Sequence, residues 1–257
     1  MAEGDIPSPG STLIFFILAT LCFLFFTVFA INKAKDIESI NNAKNNNIIN
    51  FIYLLVVIIG SYFLNVHNSR IICDQDIEWN YILTITIVPW LIIFILLYFI
   101  LKIYPGWVSP FSNTIGYIFV SMLGITSILD KLMVQIEKSK IENGSQSEEL
   151  VKAINNINNN RSRFINQLDV DSSSFEKFTQ QLSSSGIINL NDENITNNTD
   201  VITLYKLITI KYVIGTIVWY ILAGILISSI SYNYIIGISC EKSVEQIIED
   251  YDKANPQ

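Results

Sequence analysis

Residues 12–32 read TLIFFILATLCFLFFTVFAIN, a run with no charged side chain. At 1.5 Å of rise per residue such a helix crosses a hydrocarbon layer of about 30 Å, and in lipid only a helix or a closed barrel satisfies its own backbone. The run therefore predicts a membrane span. A secretory leader needs a basic start, whereas MAEGDIPSPGS carries Glu3 and Asp5 and no Lys or Arg. Residues 48–66, between NNAKNNN and HNSR, predict a second span. Residues 81–104 predict a third, with Pro89 and Trp90 inside it, because neighbouring helices or a local kink can serve the carbonyl that a proline frees. A fourth falls within 206–238 and contains Gly215, Ala223, Gly224, Ser228 and Ser229, small residues that suit close helix packing. The expected fold is an all-α integral membrane protein of about four transmembrane helices.

Basic residues set the expected orientation. The loop 33–47 carries Lys33, Lys35 and Lys44, and the segment after the third span runs from Lys102 to Lys206 and Lys211. The opposite side holds a tail without Lys, residues 1–11, and a loop with Arg70 against Asp74, Asp76 and Glu78; the acidic tail 239–257 carries Lys242 and Lys253. This asymmetry predicts both termini outside the cytoplasm and the 105–205 segment inside it.

The third span ends in YPGWVSPFSNTIGY, residues 104–117. Pro105 and Gly106 are expected to break the helix, and Trp107 and Phe111 to sit at headgroup level. Pro110 is expected to keep the chain extended or turned, and Ser112 or Asn113 to cap a new helix. From Ile115 the apolar positions 115, 118, 119, 122, 125/126, 129, 132, 133 and 136 recur at helical spacing, with no charge before Asp130. Residues 105–140 thus read as a corner followed by an amphipathic helix along the membrane surface or packed under it. A fifth span over 113–129 is the alternative, at the lower limit of spanning length.

The run IVPWLIIFILLYFILKIYPGWVSPFSNTIGY, residues 87–117, resembles a signature in membrane proteins of large icosahedral DNA viruses of eukaryotes. Its parts are a Pro-Trp in a hydrophobic helix, a Pro-Gly-Trp, and the block PFSNTIGY, which contributes Thr114, Gly116 and Tyr117 to the motif; Ile115 stands where an aromatic is expected. The similarity covers roughly residues 73–125. It implies a role in the virion, as a membrane-bound minor component beneath the protein shell. The motif residues Pro105 to Tyr117 are then the candidate interaction site, with the lipid membrane and capsid proteins or further copies of the chain as partners.

Residues 141–205 are rich in Asn and Ser and predict a small helical loop domain. Ser145, three before Glu148, has capping-box spacing, and Leu150, Ile154, Ile157, Arg161, Phe164 and Leu168 follow at 3–4 spacing, which predicts one helix over 147–168. Its stripe has no obvious partner within the chain and is expected to be covered by a neighbouring protein. A second helix after Ser172–Ser174, with Phe175, Phe178 and Leu182 on one face, should end at Gly186. The Asn-x-Ser/Thr sequons at Asn143, Asn160, Asn194 and Asn197 are expected to be accidental in so Asn-rich a chain.

Little in the sequence suggests catalysis. The one histidine, His67, reads as a loop residue, and Asp74, Asp76 and Glu78 lack the glycine turn of a calcium loop. No catalytic, cofactor or metal set is expected, and no small-molecule substrate. A net charge of -7 argues against a nucleic-acid partner. Lys211 alone approaches a hydrocarbon region and is expected to snorkel. Of the cysteines, Cys22 falls mid-span, while Cys73 and Cys240 fall near one face; no essential disulfide is expected. The function predicted is structural: an anchor between the internal membrane of a virion and its capsid. The alternative is a cellular four-span scaffold or small transporter. A tetraspanin-like scaffold fits poorly, because residues 105–205 contain none of the cysteines that staple the large loop of those proteins.

Overall fold

Uncharged blocks become helices because a backbone removed from water must bond to itself. The computed structural model describes residues 10–73, 79–133, 147–188 and 197–237. Ten helices suffice to describe them: α1 Gly10–Lys33, α2 Ile37–Lys44, α3 Asn47–Cys73, α4 Trp79–Ile103, α5 Pro105–Met122, α6 Ile125–Leu132, α7 Glu148–Asn159, α8 Arg161–Gln167, α9 Ser172–Ser184 and α10 Thr199–Ile236. Among the described residues there is no strand, only an isolated bridge between Met133 and Ile188. Four helices are long and apolar enough to cross a membrane: α1, α2 with α3, α4 and α10. The chain is an all-α membrane protein of roughly four spans, as its uncharged runs predict.

The ends of the spans differ from expectation in instructive ways. The second does not stop at Val66: α3 continues through His67, Asn68, Ser69 and Arg70 to Cys73. Polar residues do not end a helix whose backbone bonds are already made, and Asn68 and Ser69 are buried while His67 is exposed. The loop 33–47 is not a plain connection. Asp36 caps α2, accepting the Ser39 N–H at 2.7 Å, and Ser39 Oγ accepts the Asp36 N–H in return. Ile37 and Ile40 are buried beneath it. Within α4 the turn Trp90–Phe94 is π-helical, directly after Pro89. A proline inside a helix removes one donor and crowds the preceding turn, and a widened turn absorbs both.

The described residues form two compact units. One contains α1 as far as Leu21, α3 and α4, and α10 from Tyr220 onward. Its centre is aromatic: Trp90 is fully buried, with Phe16 at 5.5 Å and Phe94 at 5.6 Å between ring centroids. Phe94 meets Tyr220 at 4.8 Å, and Tyr53 shares a 2.8 Å hydrogen bond with Thr20 Oγ1. Polar bonds join the helices where side chains are short. Asn65 Nδ2 donates to Thr86 Oγ1 at 2.8 Å, and Ser231 Oγ to the Ile85 carbonyl at 2.9 Å. Phe51, Phe63, Ile92, Leu96, Phe99 and Leu226 face outward, as suits a lipid-facing exterior.

The other unit contains Cys22–Asn47 and Tyr104–Trp219. Its axis is the first half of α10, enclosed at Val201, Leu204, Tyr205, Ile208, Lys211 and Ile214. The single helix expected over 147–168 is two, α7 and α8, broken at Asn160, whose side chain donates back to the carbonyl of Asn156. Ser147, not Ser145, caps α7 by accepting the Leu150 N–H; Ser145 lies outside the described residues. Asp171 caps α9, and the chain leaves that helix through Gly186 at φ +73°. Of the apolar stripe, Ile154 and Leu168 are buried within the chain, Leu150, Ile157 and Phe164 are half-buried, and Phe164 packs on Phe178 at 5.9 Å. Arg161, which interrupts the stripe, reaches Asp130 at 2.9 and 3.0 Å with both terminal nitrogens.

Candidate functional site

Pro105 starts a helix rather than ending one. It takes the first position of a 3-10 turn, Pro105–Val108, where its fixed φ is suitable and its absent N–H is not needed. Pro110 is likewise helical, against the expectation of an extended or turned chain. The Gly106 carbonyl that a residue at position 110 would serve already accepts the Ser109 N–H, so the missing donor leaves nothing unpaired. Ser112 and Asn113 do not cap anything. They open a π-helical turn, Ser112–Gly116, in which Thr114 Oγ1 donates back to the Pro110 carbonyl at 2.5 Å. Tyr117, half-buried, begins the regular turns that end α5. Gly124, at φ +90°, then turns the chain by 78° into α6, so no straight fifth span follows.

The face that α5 buries is small. Val108, Ser112, Gly116 and Val120 are spaced by four and buried, whereas Ile115, Ile118, Phe119, Met122 and Leu123 are exposed, Met122 at 81%. The apolar stripe expected from Ile115 is therefore divided: as far as Met122 it is exposed, and after Gly124, at Ile125, Leu129, Leu132 and Met133, it is buried. Where the surroundings are themselves apolar, large side chains gain nothing by turning inward, and small ones let backbones approach.

That approach is made to α10. A Cβ at Gly215 would lie 2.6 Å from the Ser112 nitrogen, and Gly116 abuts the Lys211 carbonyl. Trp219 Nε1 donates to the Trp107 carbonyl at 2.8 Å, and its ring meets Phe111 edge-on at 5.2 Å. Trp107 and Phe111 pair with Trp219, Ser112 with Gly215, and Gly116 with Lys211, so α5 runs antiparallel to α10 over this stretch. The segment is a helix packed along the part of α10 from Lys211 to Trp219. Gly106 has nothing within 4 Å of where a Cβ would stand.

Lys211 does not snorkel. It is 3% exposed, and its Nζ donates to Asn113 Oδ1 at 3.0 Å, Asn166 Oδ1 at 3.0 Å and the Ile165 carbonyl at 3.4 Å. Asn166 Nδ2 in turn donates to the Asn113 carbonyl at 3.3 Å. The π turn of α5, the end of α8 and the first half of α10 thus meet at one ammonium group. The signal for this was a lysine inside an otherwise apolar helix, which lipid tolerates only with partners.

Beside Lys211 a cleft of about 270 Å³ is lined by Pro105, Gly106, Ser109, Ser112, Asn113, Asn166, Gln167, Leu168, Asp169, Val170, Ile208, Lys211 and Tyr212. The Val170 carbonyl accepts two donors, Lys44 Nζ at 3.1 Å and the Tyr205 hydroxyl at 2.9 Å. The Lys44 ammonium also lies 5.7 Å from the centre of the Tyr212 ring. The sequence pattern marks Asn113 as a cap and as part of the interaction motif, and gives no sign of Asn166, Val170 or Tyr205.

The remaining sequence-predicted positions lie apart from this site. Asp74, Asp76, Glu78, Cys240, Asn143 and Asn194 fall outside the described residues. Cys22 is a free, exposed thiol, while Cys73 is disulfide-bonded. Comparison of the chain with protein-family models, curated proteins and solved structures finds no match.

Proposed function

We propose that the chain is a non-enzymatic structural protein of a virion membrane, holding that membrane to the overlying capsid as a minor membrane-bound component. The observation that carries the reading is the way the polar helices are fixed to the spanning helix. The α7–α9 segment grips the first half of α10 through Lys211 to Asn166 and Ile165, through Tyr205 to Val170, and through Phe175 against Tyr205 at 4.8 Å. A body anchored so directly can transmit load between a bilayer and a shell. The resemblance of residues 87–117 to viral membrane proteins supports the same reading, and the lysine asymmetry puts this body on the cytoplasmic side, where a capsid assembles. A disulfide at Cys73 suits the opposite, oxidising side.

Because the apolar stripe of α7 and α8 is half to fully buried within the chain, the surface offered to the shell is the polar outer face of α7 and α9, with Lys152 and Lys177 exposed. Crosslinking mass spectrometry on purified virions tests the proposal. Lys152 and Lys177 should link to capsid proteins or to a second copy of the chain. Links to internal core proteins alone, or absence of the chain from virions, overturn it.

A further inference from the structure

We propose that the cleft beside Lys211 is a phosphate site, occupied by the headgroup of an anionic phospholipid. The inference rests on the membrane architecture and is independent of the virion reading. A buried charge is stable when it is both hydrogen-bonded and neutralised. Lys211 has the first and lacks the second: all three acceptors around its Nζ are neutral oxygens. One acid, the exposed Asp169, lines the cleft itself; it accepts the Asp171 N–H, and with Asp171, which accepts from Ser173 and Ser174, it acts electrostatically on Lys44. Among the described residues no carboxylate contacts Lys211.

The cleft supplies what a phosphate needs besides charge. Ser109, Ser112, Asn113, Asn166 and Gln167 line it with hydroxyl and amide groups. A phosphate oxygen entering it displaces the longest contact of the ammonium group, that to the Ile165 carbonyl, and keeps the two amides as flanking partners. Lys44, bonded to the Val170 carbonyl of the cleft lining, faces Asp169 and Asp171, so Lys211 is the cation left for the phosphate. The source is lipid because one wall of the cleft, Pro105 to Asn113, belongs to α5, and farther along the same helix Ile115, Ile118, Phe119 and Met122 are exposed, an apolar surface for acyl chains to follow away from the cleft.

The test uses the full chain in a neutral detergent, with dioctanoyl phosphatidic acid, dioctanoylglycerol and inorganic phosphate as separate probes. Phosphatidic acid should raise the unfolding temperature saturably and dioctanoylglycerol should not. Lys211→Met should weaken the effect at least ten-fold. Should that variant fail to fold, Ser109→Phe fills the cleft from an exposed position and leaves the three Lys211 bonds intact; it should weaken binding by a similar factor. Saturation by inorganic phosphate without a response to phosphatidic acid keeps the anion site and refutes the lipid as its source. No saturable response of the folded wild type to either anion, or a response that survives in both variants, overturns the proposal.

Discussion

Substituting Gly215 by Ala puts the α5–α10 packing to a direct test. The new Cβ would stand 2.6 Å from the Ser112 nitrogen and 2.9 Å from its Cα, both backbone atoms that no side-chain rotation can move. Restoring ordinary contact requires the helices to part by about 1 Å, which overpacking data put at about 1–3 kcal/mol. The same displacement stretches the 2.8 Å bond from Trp219 to Trp107 beyond hydrogen-bond length, for about 1 kcal/mol more. Against this, Ala is favoured over Gly in a helix interior by about 1 kcal/mol. The net loss is therefore about 1–3 kcal/mol, or a fall in Tm of roughly 2–12 °C for a chain of this size.

Gly106 is the internal control. Nothing lies within 4 Å of its added Cβ, so Gly106→Ala should stay within about 0.5 kcal/mol of wild type. Thermal unfolding followed by tryptophan fluorescence in detergent measures both variants. A Gly215→Ala protein as stable as wild type, or a Gly106→Ala protein that loses as much, refutes the antiparallel contact at Ser112.

Two further measurements concern the polar helices. Hydrogen bonds from Ser173 and Ser174 hold the Asp171 carboxyl below its usual range, so its ionised form stabilises the fold. That contribution is complete above the unfolded value near 4 and is lost as pH falls through the lower folded value, so the stability gap between wild type and Asp171→Ala, about 1 kcal/mol at pH 7, should shrink below about pH 4. A gap that holds constant down to about pH 2.5 contradicts the capping role. The two-pronged Arg161–Asp130 pair is partly exposed, so a double-mutant cycle should give a coupling of about 0.5–1 kcal/mol that weakens in high salt; zero coupling at low salt removes it as a tie between α6 and α8.

Where sequence reasoning succeeded and failed has one physical explanation. The spans were legible because twenty uncharged apolar residues leave a chain few alternatives to a helix in lipid. In the polar helices the apolar positions Ile154, Ile165, Leu168 and Phe175 are buried, as the rule for chains in water requires. In α5 the periodicity marks a face without saying what meets it: Ile115, Ile118, Phe119 and Met122 point out while Ser112 and Gly116 point in, so it is the small residues that meet α10. The prolines differ from expectation for local reasons: Pro105 stands at a helix start, which makes no use of its missing donor, and the carbonyl that Pro110 would serve already accepts the Ser109 N–H. Lys211 was judged by its length, as a side chain able to reach water, although Asn113 and Asn166 offered it partners at shorter range. Within an apolar segment the uncommon residues therefore carry the specificity, since each small or charged one must answer to a particular neighbour. Gly116, Lys211 and Gly215 fall on one line along two helices for that reason, and a lysine on that line without a counter-charge marks the position where a ligand would supply one.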